Sequence, residues 1–245
     1  MKSILFATVL YALLVKISSQ PPPPPRNEAN AGRCCMPGKL MELTYGSNVV
    51  TGTSYYRQRV RGAYDFTARR YGSISDVAYI NGTDIRVRII ILAAENTQYY
   101  IFNGTCTKLQ DVFVEPQRCI TTDYDFVDTS TIGDGELEGA VWGAAINDSK
   151  HGIYGTNYLS FSVKSCVPIG QSSLVYVGAP PNLAPVSDSG VYTNYTRGIA
   201  DPDFWFKPPS FCPPSHSKAR RSVDDVPLHH LLLSRIAMLG SWSPH

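Results

Sequence analysis

The sequence predicts an all-β protein of antiparallel strands, and three observations carry that expectation. Between Gly32 and Cys212 the chain is rich in Tyr, Val, Ile and Thr, residues that suit a pleated, half-buried surface. Gly, Asn and Asp interrupt it at short intervals, as turns between strands require. No long amphipathic helix pattern intervenes in this span.

Individual elements follow from alternation. TDIRVRIIILAA sets Ile85, Val87, Ile89 and Ile91 against Arg86 and Arg88, and YLSFSVKS sets Leu159, Phe161 and Val163 against Ser160 and Ser162. YYRQRVR places Arg57, Arg59 and Arg61 along one face of a strand, a polar face able to meet anionic headgroups or sulfated glycans. Further strands are expected at Met41 to Tyr45, Ala63 to Thr67, Gln98 to Phe102, Glu136 to Ile146, Leu174 to Val177 and Val191 to Tyr195, with Asn-Gly turns at Asn81 and Asn103. The apolar faces must cover one another, so two curved sheets or a partly closed barrel are expected.

The ends of the chain concern export. Lys2 precedes an apolar run from Ile4 to Val15, and Ser18 and Ser19 follow, the order of a secretory signal peptide over residues 1–19. No other segment approaches the roughly 20 apolar residues of a membrane span. Four sequons, at Asn81, Asn103, Asn147 and Asn194, fit a secreted, extracellular glycoprotein. QPPPPPR opens a spacer over residues 20–31, since polyproline forms an extended helix without a core. Residues 32–214 are expected to make one domain and 215–245 a basic linker and tail, whose stripe of Leu228, Leu232, Ile236, Leu239 and Trp242 reads as an attached surface helix, the alternative being cleavage at KARR, which ends at Arg221.

Inventory disfavours catalysis. Of the five histidines only His151 falls inside the domain, and no Gly-x-Ser-x-Gly elbow, His-Glu-x-x-His pair or phosphate-cradling loop occurs. No catalytic residue is assigned. A formal charge of +2 argues against nucleic acid as a partner. Asp123, Asp125, Asp128, Asp134, Glu136 and Glu138 make an oxygen-rich stretch with weak potential to hold calcium, although EF-hand spacing is lacking. Six cysteines in an oxidising compartment imply three disulfides, with fifteen pairings open. Adjacent Cys34 and Cys35 each need a distant partner, because neighbouring Cα atoms stand closer than an unstrained bridge prefers.

CCMP near the start, AYDFTARR, YYIFNGTCTK, VWGA, VKSCVPIG and above all GIADPDFWFKPPSFC together resemble the ependymin-related proteins. That resemblance implies a secreted glycoprotein whose two stacked, curved antiparallel sheets form a half-open sandwich around a hydrophobic pocket, similar to bacterial lipoprotein carriers. It implies a homodimer, a lipid or other apolar ligand, calcium binding among family members, and no enzymatic activity. It also implies bridges Cys34 to Cys166 and Cys106 to Cys212, which leaves Cys35 with Cys119. The segment DPDFWFKPPSFC carries one residue more than the family's motif.

Two functions are expected on these grounds. One is a binding module holding an apolar ligand between the sheets, its wall drawn from Val87, Ile89, Ile91, Tyr100, Phe102, Leu159, Phe161 and Val163. The other is a structural, adhesive glycoprotein of the extracellular matrix with calcium-dependent interactions.

Overall fold

The structure is a computed structural model describing residues 34–214 apart from 53, 111–116, 134, 150, 151 and 179–182. The expected signal peptide, spacer and tail, together with Asp134 and His151, lie outside the described residues. Eleven strands make up nearly everything else: β1 (Leu40–Thr51), β2 (Tyr55–Asp65), β3 (Arg70–Tyr79), β4 (Asp84–Leu92), β5 (Thr97–Phe102), β6 (Thr105–Gln110), β7 (Asp125–Ile132), β8 (Leu137–Asp148), β9 (Ile153–Ser162), β10 (Pro168–Val177) and β11 (Ala184–Arg197). Among the described residues one short α-helix, α1 (Pro202–Phe206), follows β11, and a 3-10 turn at Ala93–Glu95 links β4 to β5.

All eleven strands join one antiparallel sheet in the order β6-β5-β4-β3-β2-β1-β11-β10-β9-β8-β7. Where the sequence led to two sheets, the hydrogen bonding is continuous, because the central β1 is paired along its length on both sides. It meets β2 from Leu40↔Asp65 to Val50↔Tyr55, and β11 from Met41↔Arg197 to Thr51↔Val186. The edges β6 and β7 do not pair with each other, so the sheet is not closed.

Period-2 alternation decides which side chains share a face. On β1, Met41, Leu43, Tyr45, Ser47 and Val49 are buried while Leu40 and Val50 are exposed. Their cross-strand neighbours on β2 are Tyr64, Gly62, Val60, Gln58 and Tyr56, so one inner face runs across both strands. Inward residues of β4 and β5, near one edge, belong to the same buried cluster as Trp142 of β8 and Leu159 and Phe161 of β9, near the other. In a flat sheet the seven strands from β4 to β9 would span about 29 Å, at about 4.8 Å per step. The sheet therefore bends its two halves toward each other.

The turns follow local chemistry. Asn103 and Gly104 both take positive φ, 48° and 73°, as the two-residue β5–β6 connection demands. Between β3 and β4, the Asn81 side-chain oxygen accepts from the Thr83 amide at 3.0 Å.

The GIADPDFWF segment forms a bracket on the outer face. Asp201 caps α1 by accepting from the Phe204 amide at 2.9 Å, and Pro202 opens the helix, where its missing N–H costs nothing. Trp205 and Phe206 pack on Ala63 and Ile74 of β2 and β3. Glu42 accepts from both the Trp205 indole, at 3.2 Å, and the Ala200 amide, at 2.9 Å. Gly72 is required beneath the bracket, since a Cβ there would lie 2.5 Å from the Trp205 carbonyl oxygen. The Cys106–Cys212 bridge anchors the far end of this segment to β6.

Candidate functional site

The inner face is the candidate site, and a strap crosses one end of it. Residues leading into β1 run antiparallel to residues leading into β7: Met36 N–H donates to the Arg118 carbonyl and Ile120 N–H to the Cys34 carbonyl, both at 2.9 Å. Arg118 Nε returns a bond to the Met36 carbonyl at 3.0 Å, and the Tyr195 hydroxyl donates to the Pro37 carbonyl at 2.7 Å. Cys34, Met36, Ile120 and Tyr124 are thereby packed against the inward residues of β4, β5, β8 and β9.

The adjacent cysteines hold this strap at two places. Cys34 is bridged to Cys166, just beyond β9, and Cys35 to Cys119, on the partner segment of the strap. Consecutive residues of an extended segment point to opposite sides, so one locus binds both the sheet and the crossover between the two edge strands.

Behind the strap the interior has three zones. The first is the large apolar cluster under the strap. The second, at the opposite end of the strands, gathers Val49, Tyr56, Val77, Ile146, Ile153, Val175, Val177 and Val186. A polar belt lies between them. Asp188 of β11, Ser173 of β10 and Asn157 of β9 are direct cross-strand neighbours, and Ser47 of β1 faces Gln58 of β2. All five are buried, Asp188 completely.

Part of the belt is satisfied internally. Tyr45 donates its hydroxyl to Asp188 Oδ2 at 3.1 Å, Asn157 donates to the Tyr124 hydroxyl at 2.7 Å, and Tyr192 donates to Gln171 at 2.7 Å. Other atoms there have no hydrogen-bond partner among the described residues: Asp188 Oδ1, Ser173 Oγ, Asn157 Oδ1, Gln58 Nε2 and the Tyr56 hydroxyl. The same holds for the Tyr100 hydroxyl and Trp142 Nε1 within the strap-end cluster. Burial pushes the Asp188 carboxyl up to about 6, against the opposing hydroxyls of Ser47 and Tyr45. Burial likewise raises the hydroxyls of Tyr45, Tyr56 and Tyr192, and the nearby Asp188 charge adds to the effect.

Of the residues expected to line a pocket, Val87, Ile89, Ile91, Tyr100, Leu159 and Phe161 are brought together as one buried cluster, with Phe102 packed at its margin. Val163 stands apart, 46% exposed, because β9 ends at Ser162 and a turn follows in which the Cys166 amide bonds back to the Ser162 carbonyl. The belt itself was missed by sequence reasoning. Its members are ordinary Ser, Asn, Gln and Asp residues at inward positions, and only the register reveals that they adjoin.

The acidic stretch does not converge. Asp123 precedes β7, Asp125 and Asp128 lie on β7 and Glu138 on β8, Glu136 sits in the turn between them, and among the described residues no three metal-ligating side chains gather. The four sequon asparagines, Asn81, Asn103, Asn147 and Asn194, are all exposed. No described helix is long and apolar enough to cross a membrane.

Fold and site together define a class: disulfide-strapped proteins built on one open antiparallel sheet whose inner face encloses apolar clusters and a buried polar belt. No family model matches the chain. It is 30% identical, over 159 residues that cover 62% of this chain and 84% of the relative, to the Development-specific protein LVN1.2 of Lytechinus variegatus. The chain belongs to the family of that protein.

Proposed function

We propose that this chain is an exported ependymin-related glycoprotein that holds a lipid or other apolar ligand between the two facing halves of its sheet. The observation that supports this reading is the divided interior, apolar at both ends and polar across the middle. A buried polar atom left without a partner costs about 1–3 kcal/mol, so a row of them is retained where it does work on something else. Binding pockets for small apolar molecules use this combination, a greasy wall with a few polar groups that fix orientation. The wall is Val87, Ile89, Ile91, Tyr100, Leu159 and Phe161, and the orienting groups are Asp188, Ser173, Asn157 and Gln58. Export is supported by the Lys2 to Ser19 pattern, the exposed sequons and three disulfides, which persist in oxidising compartments. The reading is of a binding protein rather than an enzyme. Homodimerisation and calcium binding belong to the same family expectation, and sedimentation with and without chelator tests both.

Native mass spectrometry and solvent extraction of the protein from a secretory host test the ligand directly. The expected result is a bound apolar mass released on unfolding, with uptake of a fluorescent fatty acid abolished by Ile89→Trp and unaffected by Val50→Ala. Protein that emerges ligand-free and takes up no probe ends this reading.

A further inference from the structure

The outer face of β2–β4 carries a feature that ligand binding on the inner face does not use. Arg57 and Arg59 are exposed and Arg61 half-buried, at alternate positions along β2. Alternate residues stand about 7 Å apart on one face of a strand. No described group makes a hydrogen bond or ion pair with any of the three side chains. Two strands away, β4 contributes Arg86 and Arg88 to the same face. Arg86 pairs with Asp76, and Arg88 bonds the Phe204 carbonyl of the α1 bracket.

Cross-strand register turns these residues into walls. Arg59, Asp76 and Arg86 form one ladder across β2, β3 and β4, and Arg57, Ala78 and Asp84 form the next. The residues between the ladders, Gln58, Val77 and Ile85, point inward, so their backbone makes the floor of a trough on the outer side. The trough has a volume of about 640 Å³. A second hollow of about 680 Å³ shares Asp84, Ile85 and Arg86 with it and continues past Arg88 to Asn103 and Phe211. Beside the Arg70–Asp65 pair next to α1, five further arginines stand on this face against two carboxylates, Asp76 and Asp84, and Asp76 is already neutralised by Arg86.

We infer that this trough is a binding site for a sulfated glycan. Guanidinium groups are planar forks that grip sulfate or phosphate oxygens through paired hydrogen bonds, and their weak hydration makes that exchange favourable at a surface. Three unpaired forks at regular spacing along one strand suit a linear chain bearing repeated anions. The trough runs across the strands and opens between Arg57 and Arg59, so a chain lying along β2 crosses its mouth with one anion between those two forks and the next at Arg61, whereas a flat bilayer surface would touch only the tips of its walls. Arg57, Arg59 and Arg86 line the first hollow and only Arg86 and Arg88 the second, so the glycan ligand is assigned to the first. This inference stands independently of any ligand on the inner face.

The test uses the full secreted chain, glycosylated, titrated against fluorescent heparin and chromatographed on immobilised heparin with a salt gradient. The wild type is expected to bind heparin, to ignore fully desulfated heparin, and to weaken as salt rises. Arg57→Ala/Arg59→Ala/Arg61→Ala should lose about tenfold or more in affinity. The triple Arg→Lys variant, which keeps charge and loses the fork, should fall between. Lys164→Ala, in the turn after β9, should match wild type. Circular dichroism of each variant must match that of the wild-type fold, and a misfolded triple variant is replaced by the three single substitutions. Equal binding to desulfated heparin, elution of the alanine variants with wild type, or an arginine-dependent association with phosphatidylserine vesicles as strong as that with heparin would overturn the assignment.

Discussion

The two faces of β2 hold opposite electrostatic situations one residue apart. Inward, Gln58 joins a belt where the Asp188 carboxyl is fully buried with no described cation beside it. Outward, Arg57 and Arg59 stand in solvent, and Asp76 across from Arg59 pairs instead with Arg86. Water makes the difference. The exposed guanidiniums keep their hydration, whereas burial drives the carboxyl toward its neutral form. A pleated strand can thus carry two unrelated binding chemistries, because successive side chains see different media.

The largest effect on this contrast should come from opening the strap. Cys35→Ser/Cys119→Ser removes the bridge between its two segments over the inner face, and a stability loss of about 2–5 kcal/mol is expected in denaturant titrations. Heparin binding by the outer trough should survive the change at temperatures where the variant stays folded. If both faces fail together under those conditions, they are not separable.

Next in size, Ile89→Ala leaves a cavity in the strap-end cluster and should cost about 2–5 kcal/mol. Val50→Ala, on the outward side of β1, should stay within about 0.5 kcal/mol, as exposed positions do. Equal costs at the two positions would break the assignment of faces.

Asp188 sharpens the comparison through pH. Its folded-state pKa of about 6 lies above the ordinary 3.8, so the folded protein holds the proton more tightly than the unfolded chain. The associated stability is fully present below the unfolded value and is lost as pH rises through about 6. The span is about 3 kcal/mol, from roughly 1.4 kcal/mol per unit. Melting temperatures between pH 4 and 7 should therefore rise on acidification relative to Asp188→Asn, which removes this titration. Parallel curves for the two proteins would show that the carboxyl is not buried as described.

The smallest effect belongs to the outer bracket. Asp201→Ala deletes the cap of α1 and should cost about 1 kcal/mol, read as a small shift in the denaturation midpoint without altering ligand uptake on the inner face.

Strands with strong alternation were legible in the sequence. IRVRIIIL became β4, YLSF the end of β9, and the Asn-Gly pairs became turns. β3 was not, and the reason is physical. Its inward set, Tyr71, Ser73, Ser75 and Val77, mixes polar with apolar residues, while Ile74 on the outer side is buried beneath α1. Covering a strand on both faces erases the contrast that alternation relies on. β6 and β7, edge strands of mixed composition, gave no pattern either. The belt was hidden for a related reason: nothing local distinguishes an inward serine from an outward one.

By itself, then, the sequence determined the strand-forming character of the chain, the faces that its clearest strands present, its turns and an even set of cysteines, all properties set by residues within a few positions of one another. Only the tertiary structure decided that β1 would pair with β11 as well as β2, joining every strand into one sheet. It also decided that Cys34 and Cys35 would tie a strap across the inner side, and that Asp188, Ser173 and Asn157 would stand in one row. Cross-strand register links positions far apart along the chain, and it is selected by how whole faces bury one another, which no local pattern records.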